Sequence, residues 1–145
     1  MSKYYKTLVY EDYNDEELFY KISDYYYLKV PTEEDFQKFD EIEKNFFVVV
    51  LLLSEVNSGG FEFYFVDAGG EKYAEHTLDF LTSIDEDNFS HLLNKAMNIF
   101  KSEKEYNEIV KDLDKIDSEF YNFTGEYNDL YKKCIIYLKD RANKI

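Results

Sequence analysis

The chain has 145 residues, 45% hydrophobic and 33% charged, with 31 acidic side chains against 17 basic ones and a formal net charge of −14. That length suits a single domain over residues 1–145 with a substantial core, and the charge argues against direct nucleic-acid binding, since such a field repels phosphates and attracts basic proteins. One cysteine allows no internal disulfide; the opening MSKYYKTLVYEDYNDEE lacks a secretory pattern, and the longest apolar run, Phe46 to Leu53, is far short of a membrane span. The expectation is a cytoplasmic protein with no membrane contact.

The first 30 residues are the least patterned. Leu18, Phe19 and Ile22 suggest one helix, and Tyr25-Tyr26-Tyr27 a packed end or a turn. The single proline, Pro31, precedes Thr32, and Thr32 with Asp35 reads as a variant capping box opening a helix to about Asn57. The β-branched middle of that helix, FFVVVLLL, resembles a buried strand, but the flanking residues continue helically. Ala74, Thr77, Leu78, Leu81 and Ile84 recur at helical spacing, as do Phe89, Leu92, Leu93, Ala96, Met97 and Phe100. Tyr106, Ile109, Val110, Leu113, Ile116 and Phe120 repeat the pattern, with Ser102 and Glu105 as a capping box before them. Gly125 separates these from a last helix carrying Tyr127, Leu130, Tyr131, Cys134, Ile135 and Leu138. The sum is an all-α fold, a compact single-domain bundle of about six or seven helices with little or no strand.

Few residues invite catalysis. His76 and His91 fall on polar or boundary faces of amphipathic helices, and Cys134 on an apolar stripe, so no nucleophilic triad suggests itself. No C-x-x-C or H-E-x-x-H motif is present, which argues against zinc. The acidic run Asp85-Glu86-Asp87-Asn88 puts Ser90 where a calcium loop needs glycine. Gly69-Gly70-Glu71-Lys72 lacks phosphate-loop spacing. The expectation is a non-enzyme with no cofactor and no metal.

Four of the five glycines lie between Ser54 and Gly70, in SEVNSGGFEFYFVDAGG. The pairs Gly59-Gly60 and Gly69-Gly70 bracket an aromatic unit, which reads as a helix stop, a tight turn, a short aromatic helix and a second stop. Glu55, Val56, Asn57, Gly59, Gly60, Phe61, Tyr64, Phe65 and Gly70 resemble the signature of the acidic DNA-mimic domain family, close to E-V-N-N-G-G-F-x-Q-Y-F-x-N-S-S-G. The pattern departs at Ser58, Phe63, Asp67, Ala68 and Gly69. The similarity runs on through YAEHTLDFLTSI, LLNKAMNIF and LDKIDSEFY, covering the chain from about Phe46. It implies a helical fold and the imitation of DNA before a protein partner. Read from the residues themselves, the signature is mainly structural: the glycines turn the chain, Phe61, Tyr64 and Phe65 fill a core, and Glu55 and Asn57 fix the turn by hydrogen bonds.

Residues 1–45 carry 12 acids and 6 lysines, residues 46–101 carry 9 and 3, and residues 102–145 carry 10 acids and 8 bases. Within the lysine-poor middle, Glu71, Glu75 and Asp79 repeat every fourth residue, away from the apolar stripe of their helix. Helical side chains at that spacing lie about 6 Å apart, on the order of neighbouring phosphates along a strand. This row is the candidate partner-binding surface. The partner would be a basic protein: a transcription factor, a nucleoid protein or a nuclease. Three other readings share the composition: an immunity protein neutralising a toxic nuclease, a structural or regulatory module unrelated to nucleic acid, and charge serving solubility alone. The abundant Tyr and Phe leave room for a homodimer, which self-repulsion opposes.

Overall fold

Helical periodicity dominates the computed structural model, which describes residues 4–9, 11–28, 32–123 and 127–142. The described residues form eight helices and no strand: α1 (Tyr4–Leu8), α2 (Asp15–Leu28), α3 (Glu33–Lys38), α4 (Glu41–Val66), α5 (Gly70–Ser83), α6 (Asp87–Phe100), α7 (Tyr106–Tyr121) and α8 (Tyr127–Ala142). The all-α expectation holds. Pro31 and Gly125, read as boundaries, lie outside the described residues.

Two boundaries differ from the sequence reading. The helix expected from Thr32 to Asn57 breaks at Phe39, whose backbone is extended (φ −66°, ψ 148°). The break has a local cause. Asp40 Oδ1 accepts the Glu43 N–H at 2.8 Å, and Glu43 Oε1 accepts the Asp40 N–H at 3.0 Å. This reciprocal cap starts a new helix, eight residues after the expected Thr32–Asp35 capping box starts α3. The Ser102–Glu105 box is absent. Ser102 sits in the turn that closes α6, its hydroxyl without a partner, and α7 begins after Glu105 with no side-chain cap.

The chain divides into two compact units, one of residues 1–47 and 126–145, the other Val48–Gly125. In the first, α1 and α8 pack on α2. Phe19 stacks on Tyr131 with ring centroids 4.4 Å apart and lies 5.9 Å from Phe46. Tyr26, in the run read as a packed end or a turn, is buried within α2. Two buried polar contacts order this core. Tyr5 donates its phenol proton to Asp40 Oδ2 at 2.6 Å, and Asn45 Nδ2 donates to the Tyr137 hydroxyl at 2.7 Å. Cys134 is buried on α8, as its place on the apolar stripe implies.

In the second unit α6 packs against both α5 and α7. The stripes read from the sequence supply its core: Ala74, Thr77 and Leu81 from α5, Phe89, Leu92, Leu93 and Ala96 from α6, and Ile109, Leu113, Ile116 and Phe120 from α7. Phe89 and Phe120 meet edge to face at 5.6 Å, a geometry that adds about 0.5–1.5 kcal/mol beyond area burial.

Every residue from Phe46 to Leu53 is buried, the expected state of a helix apolar on all sides. By length and composition α4 is also long and apolar enough to cross a membrane, beyond what its eight-residue core suggested; 61% of that window is buried within the protein.

Asp40 serves both as the cap of α4 and as the acceptor for Tyr5. Asp40→Ala is expected to cost about 1–3 kcal/mol in urea denaturation. Asp40→Asn, whose one amide oxygen can still accept the Glu43 N–H while its NH2 replaces the oxygen that accepts from Tyr5, is expected to cost less than Asp40→Ala.

Candidate partner-binding surface

Gly60 sets the geometry of the second unit. Its φ of 82° and ψ of −178° break α4 internally without ending it. The expected stop and turn are thus one residue of non-helical backbone, after which Phe61–Val66 resume as a helical turn. Positive φ at this site favours glycine. A Cβ here would also collide with the Asp117 carboxylate.

That carboxylate is present for a reason. Breaking the helix strips the Phe61 N–H of its intrahelical acceptor, and Phe61 is fully buried. Asp117 Oδ1, from α7, accepts this N–H at 2.8 Å. One turn earlier, the Tyr121 hydroxyl donates to the Val56 carbonyl at 2.9 Å. Beyond the kink, the Tyr106 hydroxyl donates to Glu62 Oε1 at 2.6 Å. Tyr106, Asp117 and Tyr121 lie on one stripe of α7 by helical spacing, so one edge of that helix clasps both sides of the kink.

The signature residues are placed accordingly. Phe61, Tyr64 and Phe65 are buried. Phe61 meets Phe120 edge to face at 5.6 Å, and Phe65 stacks on Phe100 at 4.7 Å. Asn57 is exposed, and its Nδ2 donates to the Leu53 carbonyl at 2.7 Å. Glu55 is half-buried one turn before Gly59. Gly59 is exposed on the last turn before the kink. Gly69 has a left-handed backbone (φ 73°), and a Cβ on Gly70 would enter the Tyr64 ring.

The acidic row lies on the opposite side of α5 from the core. Glu71, Glu75 and Asp79 are all exposed, while Gly70, Ala74, Thr77, Phe80 and Leu81 are buried. The row is less free of cations than the sequence implied. Lys101, just past α6, brings its Nζ to 3.9 Å from Glu75 Oε1. Both side chains are more than half exposed, so the pair is screened and contributes at most about 1 kcal/mol. On α7 the acids are more fully matched: Lys104 Nζ meets Asp112 Oδ2 at 3.0 Å, and Lys104, Lys111 and Lys115 share a shallow groove with Glu108, Asp112 and Asp114.

Val48–Gly125 holds 16 acids and 6 lysines, a net −10; the rest of the chain holds 15 acids and 11 bases, a net −4. Most of the charge therefore belongs to the unit that carries the signature and the row. One of its acids, Asp117, which sequence reasoning did not single out, is held at the kink by the Phe61 N–H. Burial holds its carboxyl above the usual range, the charges of Asp114 and Glu62 add to this, and the Phe61 N–H opposes it.

The described residues contain no group of three or more His, Cys, Asp or Glu placed to hold a metal ion. What the surface offers is fixed negative charge on a rigid helical frame.

The raised pKa of Asp117 has a definite sign. Ionisation is penalised in the folded state, so the penalty is full above the folded pKa, shrinks as pH falls through it and is gone below the unfolded pKa. Asp117→Asn keeps an acceptor for Phe61 without the charge. Its thermal stability relative to wild type is expected to be greatest near about pH 7 and to shrink toward about pH 4. Asp117→Ala orphans a buried N–H and is expected to cost about 1–3 kcal/mol at either pH.

No curated protein and no solved structure matches the chain. A family model does match, over residues 37–141, from the last turn of α3 through nearly all of α8 and including the whole glycine-bracketed stretch. The chain belongs to the DMP19-like protein family.

Proposed function

We propose that this DMP19-like protein is a non-catalytic DNA mimic that occupies the phosphate-binding surface of a basic, nucleic-acid-binding protein. The family is one of DNA mimics. The observation that carries the reading is where the charge lies: a net −10 falls within Val48–Gly125, and Glu71, Glu75 and Asp79 stand exposed in one line on α5.

The mechanism is occlusion. A duplex presents regularly spaced negative groups on a stiff frame, and a helix presenting carboxylates one turn apart offers a protein-borne equivalent. Long-range attraction steers a basic partner to this face and gives fast, salt-sensitive association. Once docked, the partner's lysines and arginines are engaged by carboxylates, and phosphates are excluded from the same surface. No bond is made or broken, and the only requirement on the fold is rigidity under the row. The α5 core face and the Gly70–Tyr64 contact supply it.

The test is capture on the immobilised chain from the native host lysate, with washes at about 50 mM and about 500 mM salt and elution by duplex DNA. A basic nucleic-acid-binding protein released by both salt and DNA is the expected result. With that partner in hand, the triple change Glu71→Gln, Glu75→Gln, Asp79→Asn is expected to weaken binding about tenfold or more and to flatten its salt dependence. A partner that stays through high salt and ignores DNA would overturn the reading.

A further inference from the structure

The described part of Val48–Gly125 leaves three large hydrophobic side chains exposed: Val66 at 51%, Tyr106 at 50% and Tyr121 at 42%. All three belong to the seam between α7 and the kinked end of α4, because Tyr106 bonds Glu62, one turn before Val66, and Tyr121 bonds the Val56 carbonyl. Asp114 and Asp117 lie between the two tyrosines on the same stripe of α7. Among the described residues of this unit no other aromatic side chain is as exposed. We propose that this seam is an arginine-reading surface, on which guanidinium groups of the basic partner stack on Tyr106 and Tyr121 while bonding Glu62, Asp114 and Asp117. The proposal rests on the DNA-mimic reading for the existence of a basic partner and goes beyond it in naming the chemistry selected.

The choice of occupant follows from what each cation can do. A lysine ammonium is compact and strongly hydrated, and a bare row of carboxylates serves it as well as any other cation. A guanidinium is planar and weakly hydrated; it can lie on a ring while its edge donates in a fork to a carboxylate. Exposed ring faces beside carboxylates therefore favour arginine. One such stack occurs within the chain, where the Arg141 guanidinium lies 3.9 Å from the Tyr137 ring centroid. A second copy of the chain has little arginine to offer this seam. Arg141 is its only arginine, already held against Tyr137 and paired with Asp140 at 3.8 Å.

Fluorescence anisotropy with labelled oligoarginine and oligolysine of equal length tests this on the full chain at about 100 mM salt. The deciding pair of variants is Tyr106→Phe/Tyr121→Phe against Tyr106→Leu/Tyr121→Leu. Both lose the hydroxyls and keep apolar bulk, and only the first keeps the ring faces. Wild type and the Phe variant are expected to prefer oligoarginine. The Leu variant is expected to lose about two- to five-fold in oligoarginine affinity per ring, with oligolysine binding unchanged. Equal binding by the Leu and Phe variants would overturn the seam and leave the DNA-mimic reading standing, whereas failure of wild type to bind either peptide would overturn both. Should the Leu variant not fold, the wild-type ring protons of Tyr106 and Tyr121 decide: selective shifts on adding oligoarginine support the seam, and their absence overturns it.

Discussion

The hydrogen bond from the Phe61 N–H to Asp117 is the constraint on which the second unit turns. A backbone donor buried without an acceptor costs about 1–3 kcal/mol, and Gly60 creates such a donor by leaving helical geometry inside α4. Asp117 removes that cost across 56 residues of sequence. Three consequences follow. The aromatic turn is redirected so that Phe61 and Phe65 reach Phe120 and Phe100. The α7 helix is fixed in register against α4, with Tyr121 and Tyr106 bonded on either side of the kink. A carboxylate is also held half-buried beside Glu62 and Asp114, where its charge is costly. A chain selected for stability alone would place a neutral acceptor there. An aspartate keeps the surface negative beside the kink.

Legibility in the sequence tracked distance along the chain. The stripes of α5, α6 and α7 were readable because a buried helical face repeats every three or four residues, and the Thr32–Asp35 cap because both partners lie within one turn. The break at Phe39 was also local in origin, since Asp40 and Glu43 form their own capping box. It was overlooked because acids three residues apart are common in a chain with 31 of them. The Ser102–Glu105 box failed for the converse reason: the spacing was right, but α6 closes through Ser102 and leaves α7 to start later. Of the candidate surface, the row on α5 was readable from periodicity alone. Lys101 beside Glu75, and the clasp of Asp117, Tyr106 and Tyr121 on the signature, were not. Each joins residues tens of positions apart, and no local pattern records a pairing of that kind.

The signature itself is a framework. Its buried aromatics, Phe61, Tyr64 and Phe65, have no exposed face to offer a partner, and Gly70 is fixed by the Tyr64 ring against it. Glu55 and Asn57 are the exceptions in polarity. Asn57 spends its amide on the Leu53 carbonyl, within the same helix, as a residue supporting the turn before a kink would. Partner recognition therefore falls to side chains outside the buried positions, on α5 and along the outer edge of α7. These can change without disturbing the aromatic packing.

Charge and packing set opposing demands on that arrangement. Like charges four residues apart destabilise a helix by a few tenths of a kcal/mol each, and a net −10 within one small unit adds longer-range repulsion. Aromatic burial opposes both at short range, and the contacts of Phe61, Phe65, Phe89, Phe100 and Phe120 lie in the same unit as the excess charge. The lysines are distributed in keeping with this. Lys104 meets Asp112 on α7 and Lys95 meets Glu119 between α6 and α7, relieving repulsion on the elements that hold the core. The row on α5 meets Lys101 at 3.9 Å, well exposed. A pair so screened is readily exchanged for a cation supplied from outside, so repulsion is tolerated most where a basic partner could relieve it.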